Sequence, residues 1–152
     1  QNDSPPKGHM DITLLVHSAS TWSMVGLIWL IQIVHYPLFA HVGSDCFSAY
    51  QRLHIRRMSW VAGLLMLTEG ATGAYILLVL PRGLSFTLAT LGFALLLVIW
   101  GSTLLLQIPY HRTLSSHFDK SPHASLIKTN WIRTIGWTCR GLLVLSLLAT
   151  LD

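Results

Sequence analysis

The chain has 152 residues, of which 52% are hydrophobic and only 11% charged, and its mean hydropathy is +0.55. This is far too apolar for a soluble domain of that size and points to an integral membrane protein. The basic balance, 10 Lys and Arg against 6 Asp and Glu, is accounted for by membrane topology and headgroup contact, and nothing in its distribution suggests nucleic acid as a partner.

Residues 1–9 are polar and contain Pro5 and Pro6, and Gly8-His9-Met10 reads like a vector scar, so this stretch is expected to be a tag or disordered and 10–152 to form a single transmembrane domain. Apolar runs at 12–34, 59–80, 84–108 and 131–151 each come close to the ~20 residues a helix needs to cross the hydrocarbon. Lipid offers the backbone no hydrogen-bond partner, and the runs lack the alternation of a barrel strand, so helices are expected.

The connection between the first two runs carries Arg52, Arg56 and Arg57, and the one between the last two carries Arg112, Lys120, Lys128 and Arg133. The opposite side has Lys7 and Arg82. The positive-inside rule then places both basic connections in the cytoplasm and both termini outside. Cys46 and Cys139 suggest neither a disulfide framework nor a CxxC pair.

Span 1 is expected to open with Asp11 as a cap and to pack through Ser20, Ser23 and Gly26, while Trp22 and Trp29 share another stripe. His17 lies inside it, as either a site or a histidine bonded to a neighbouring hydroxyl. Pro37, after Gln32 and His35-Tyr36, should end or kink the span. Residues 40–58 are too polar to cross, and Phe47, Tyr50, Leu53 and His54 recur at helical spacing, which predicts an interfacial amphipathic helix.

Span 2 is rich in small residues, with Gly63, Gly70 and Gly73, and carries Glu69. Pro81-Arg82-Gly83 predicts a tight turn into span 3, which is featureless until Gln107, Tyr110 and His111. Ser115, Ser116, Ser121 and Pro122 mark a loop before a helix starting near His123. The expected fold is therefore all-α, an up-down four-helix membrane bundle with an interfacial helix between spans 1 and 2.

Two polar layers emerge. Trp60 and Trp131 read as anchors at one interface, with Glu69 and Arg140 each nine residues beyond, so both charges sit about 14 Å deep and should pair. The pair is a catalytic candidate, handling protons or substrate charge, or else a structural lock that sets helix register. Arg133, Trp137 and Arg140 share one face.

Nearer the cytoplasm, Gln32, His35, His54, Gln107, His111 and Asn130 reach a common level. Neutral imidazoles there could hold a transition metal or the iron of a haem, with His35, His54 and His111 as metal ligands, or could simply meet water and headgroups. His54 and Glu69 are fifteen residues apart on one helix, about 22 Å, so no single ion takes both.

His17, Trp22, Gly26 and Tyr36-Pro37-Leu38-Phe39, leading through a basic segment to a Gly-rich second span, resemble the short four-helix protoporphyrinogen oxidases; the resemblance implies haem, with His17 as the haem-linked histidine. Asn130-Trp131-Ile132-Arg133-Thr134 is similar to the anthrone-oxygenase-like family, which would make Asn130 and Arg133 site residues.

Three functions stay open. The first is a membrane redox enzyme or oxygenase acting on a hydrophobic substrate, with His17, His35, His54 and His111 for a cofactor and Gln32, Tyr36, Gln107, Asn130, Arg133 and Trp137 lining the substrate site. The second is a non-catalytic subunit of a larger membrane complex or homo-oligomer, binding pigment or haem. The third is a small transporter, for which neither an internal repeat nor a broken helix is evident.

Overall fold

The computed structural model describes residues 7–79 and 84–149, with side chains from Ile12 onward. Residues 1–6, the expected turn at Pro81-Arg82-Gly83 and the last residues of the fourth run lie outside the described residues. Among the described residues every regular element is helical, and the helices join into four rods.

The first rod comprises α1 (Lys7–Leu30), a π-turn at Ile31–His35, α2 (Tyr36–Leu38) and a tight turn at Phe39–His41. The second is α3 (Ser44–Val79), the third is α4 (Phe86–Ser102), a π-turn at Thr103–Gln107 and α5 (Ile108–Leu114), and the fourth is α6 (Lys120–Leu148). Ile12–His41, Ser44–Val79 and Phe86–Leu114 are long and apolar enough to cross a membrane. The α6 rod, where the fourth span was expected, spans 29 residues but is diluted by polar groups along its inward face, among them His123, Asn130, Arg133, Thr134 and Arg140.

Several boundaries differ from expectation for local reasons. Asp11 falls inside α1, which opens at Lys7, so it does not mark the helix start. No proline interrupts residues 44–79, and the stretch expected as a separate interfacial helix is the first half of the single 36-residue α3. Starts with a polar cap do appear elsewhere: Ser85 accepts a hydrogen bond from Leu88 N, and Asp119 accepts one from Ser121 N.

Pro37 kinks its rod without ending it. A proline ring clashes with the carbonyl four residues earlier and supplies no N–H. For Pro37 that residue is Ile33 and for Pro109 it is Leu105, and each lies inside a π-turn. The widened turn gives the ring room, so both rods pass their prolines still helical.

Helix α1 packs against both α3 and α6, and α4 packs against the same two. Close approach is permitted at α6, where a Cβ on Gly136 would stand 2.8 Å from Ile99 Cγ1 and one on Gly141 3.2 Å from both Trp22 and Val25. Gly70 and Gly73 of α3 likewise face Trp100 and His17, whereas Gly63 has open space. The small-residue face expected on α1 does not pack as a unit: Ser20 is buried, but Ser23 is exposed and Gly26 has nothing beside it.

The main core gathers Met24, Ile28, Phe39, Phe47, Ile99, Leu126 and Trp137. Large apolar side chains also point outward all around, including Leu15, Leu64, Leu78, Leu97, Leu105 and Ile135. The interior, by contrast, holds Gln32, Gln51, Glu69, Gln107, Asn130, Arg133 and Arg140.

Candidate functional site

The interior polar groups form two assemblies. In the deeper one, Glu69 of α3 is fully buried. Its Oε1 accepts from Arg140 Nε at 2.8 Å and from Thr21 Oγ1 at 2.8 Å, and its Oε2 accepts from Trp137 Nε1 at 2.9 Å. Arg140 also donates to the Gly92 carbonyl of α4. Glu69 and Arg140 thus meet where equal depth on the two helices predicts, and all four rods contribute a partner.

His17 belongs beside this assembly. Its Nδ1 lies 2.8 Å from Thr72 Oγ1, and that hydroxyl donates to the Thr68 carbonyl at 2.7 Å. A hydroxyl has one proton, so Thr72 accepts from His17 Nδ1–H. Eighteen residues separate His17 from His35, about 27 Å of helix, so of the four cofactor candidates His17 stands apart from His35, His54 and His111.

The second assembly lies between the two π-turns, on the residues that precede and follow Pro37 and Pro109. Gln32 Oε1 accepts from Asn130 Nδ2 at 2.9 Å and Thr134 Oγ1 at 3.3 Å, and its Nε2 donates to the Ile127 carbonyl. Gln107 Oε1 accepts from Ser102 Oγ at 3.0 Å, and its Nε2 donates to Thr129 Oγ1. Each glutamine therefore ties its π-turn to a neighbouring side chain or helix.

Between them His35 Nε2 and His54 Nδ1 are 2.8 Å apart, Tyr36 Oη and His111 Nε2 are 2.9 Å apart, and Gln51 Nε2 and His111 Nδ1 are 2.7 Å apart. The rings of His54 and His111 are 5.4 Å apart. Phe39, fully buried, stands at the centre against His35, Tyr36, His54, His111 and His123. The guanidinium of Arg133 lies against Tyr36 and 5.3 Å over the Trp137 ring, so Arg133 bridges the two assemblies.

Three imidazoles from three rods supply the right donors for a transition metal, but here they bond to one another and to Tyr36 and Gln51. No group of three or more His, Cys, Asp or Glu side chains converges in ligand geometry among the described residues. Trp137, expected to line the substrate site, joins the Glu69 assembly.

Four members were not anticipated from the chain: Thr21, Gln51, Phe39 and His123, whose Nε2 lies 2.8 Å from the Tyr36 carbonyl. Gln51 had a readable signal, since it sits four residues after Phe47 and three before His54 on the inward stripe. Leu53, expected on that stripe, is exposed. Comparison of the chain with protein-family models, curated proteins and solved structures gives no match.

Proposed function

We propose that this chain is a multi-pass membrane protein, an up-down four-helix bundle, and that the assembly between its π-turns is the site of a redox or oxygenase reaction on a hydrophobic substrate with a polar head. The membrane reading is supported by the inverted distribution of side chains, apolar outside and polar inside. The packing of α1 and α4 each against α3 and α6 suits a ring in which α3 and α6 are diagonal, so that Glu69 and Arg140 meet across its centre. The basic connections would lie in the cytoplasm and the termini outside.

One observation carries the site reading: the buried Tyr36 hydroxyl, the partly buried His111 ring and the buried Gln51 amide form a continuous chain ending beside a guanidinium. A phenol and an imidazole in contact can pass a proton to or from a bound substrate. Gln32, Gln107 and Asn130 hold the backbone around the head, and Phe39 walls the site from water. Glu69 and Arg140 act as a clamp beneath it, because their hydrogen bonds are already taken by Thr21, Trp137 and Gly92. A haem or transition metal held by His35, His54 and His111 would supply the electron transfer or oxygen chemistry.

The test is an oxidised and dithionite-reduced absorption spectrum with metal analysis, on protein purified from its native host in mild detergent. A Soret band that shifts on reduction, or a stoichiometric metal lost in His54→Ala and His111→Ala, supports the reading. Colourless, metal-free protein removes the haem and metal arm. A second reading, a non-catalytic subunit of a larger membrane complex, is favoured by the saturated Glu69 network, which resembles a structural lock. In that case Tyr36→Phe leaves assembly intact while Glu69→Gln abolishes it.

A further inference from the structure

The two interior arginines differ in a way that the proposed reaction does not explain. Arg140 has its carboxylate at 2.8 Å. Arg133 is also buried, at 6% exposure, yet Arg140–Glu69 is the one ion pair among the described residues. The carboxylates elsewhere on the described surface, Asp45 and Asp119, are engaged by Ser44 and Ser121 at the ends of their helices.

A buried guanidinium without a counter-charge is costly, and contact with the Tyr36 side chain and the face of Trp137 offsets only part of that cost. The surroundings repeat the pattern. Among the described residues, Gln51, Asn130 and Arg133 each keep a buried polar atom with no hydrogen-bond partner, Oε1, Oδ1 and Nε respectively, and so does Trp100 at Nε1, beside Gly70. Turning the Gln51 amide over exchanges the orphaned end but does not remove it. Asn130 and Arg133 are one turn apart on α6, while Gln51 lies further off, on the side of the His111 ring away from Tyr36.

We infer that this cluster is an anion receptor, and that its ligand is an amphiphile with a negatively charged oxygen head, a carboxylate or an ionised phenol or enol, seated on Arg133. The anion supplies the missing charge and accepts from Nε, while a hydroxyl or protonated oxygen beside it satisfies the amide oxygen of Asn130. The apolar body leaves toward the third and fourth rods, where Leu104, Leu105, Ile132 and Ile135 face outward. This deepens the proposed function by naming its substrate class and rests on that reading for the location of the site.

The experiment is calorimetric titration of the full chain in nanodiscs of neutral lipid, with empty discs subtracted, using two matched pairs. One pair is decanoate against decanol; the other is a hydroxynaphthoquinone, ionised at neutral pH, against the parent naphthoquinone. At least one acid is expected to bind about tenfold or more tightly than its neutral mate. That preference is expected to vanish in Arg133→Gln and to survive in part in Arg133→Lys. Preference for decanoate assigns a carboxylate head, and preference for the quinone pair an ionised enol. Equal binding within both pairs overturns the inference, and because the wild-type comparison stands alone, a variant that fails to fold does not rescue it. Acid binding by a colourless protein that never turns over keeps the receptor and removes the redox reading; turnover of a neutral substrate with no acid preference does the reverse.

Discussion

The Glu69 assembly and the Arg133 assembly are built from the same materials, an arginine of α6, the Trp137 ring and polar groups from neighbouring helices, and they behave as opposites. Around Glu69 each charge and hydrogen bond is answered inside the chain. Around Arg133 two buried atoms, its own Nε and Asn130 Oδ1, are unanswered, with Gln51 Oε1 a third beyond His111. In a low-dielectric interior the first arrangement is rigid and self-sufficient, and the second gains free energy only when something binds. A closed network therefore serves as the floor for an open one, with Trp137 shared between them.

The largest expected effect comes from opening the closed network. Glu69→Leu or Arg140→Met alone leaves a buried charge unpaired, with a loss of about 3–5 kcal/mol. The double variant recovers most of it, as SDS or thermal unfolding of the detergent-solubilised protein would register. Additive losses would mean that the two residues are not energetically a pair.

Gly136→Ala is next. Its Cβ would meet Ile99 at 2.8 Å, so Ile99 must turn aside or the α4 and α6 rods must part, with an expected cost of about 1–3 kcal/mol in the same assay. Gly26→Ala, where nothing lies within 4 Å, should instead leave stability unchanged or raise it by about 0.5–1 kcal/mol through helix propensity.

Thr72→Val removes the acceptor of His17 Nδ1–H, and one lost hydrogen bond of a buried pair costs about 1 kcal/mol. A cycle with His17→Phe should show the two residues coupled. The smallest effect sharpens the contrast most. Arg133→Met deletes a buried cation that has no acid partner, so the unliganded protein should stay within about 1 kcal/mol of wild type, on the stabilising side. A loss as large as that of Arg140→Met would show that the two assemblies do not differ in kind.

Much of this was legible in the chain because depth follows from helix rise. Nine residues from Trp60 and nine from Trp131 placed Glu69 and Arg140 together, and they pair. The same counting brought Gln32, Gln107, His35, His54, His111 and Asn130 to one level; the structure pairs Gln32 with Asn130 and His35 with His54 and sets the His111 ring 5.4 Å from that of His54, whereas Gln107 bonds to Ser102 and Thr129. Counting kept His17 out of that layer, and the structure has it on the Thr72 hydroxyl. Local reading failed for Asp11, because a cap depends on where the backbone leaves the helix. It failed also at residues 40–58, where polarity suggested a separate helix but no breaker separates it from α3.

What the amino-acid sequence determined by itself is the set of helices and the height of each polar group along them, since apolar run length and 1.5 Å per residue need no knowledge of neighbours. The azimuth of each helix, and hence who faces whom, was decided by tertiary packing. Thr21 on Glu69, Gln51 on His111 and the π-turns that seat Pro37 and Pro109 all depend on it. So does the central contrast: two arginines seven residues apart on one helix have the same local character, and only the packed bundle gives a carboxylate to one and withholds it from the other.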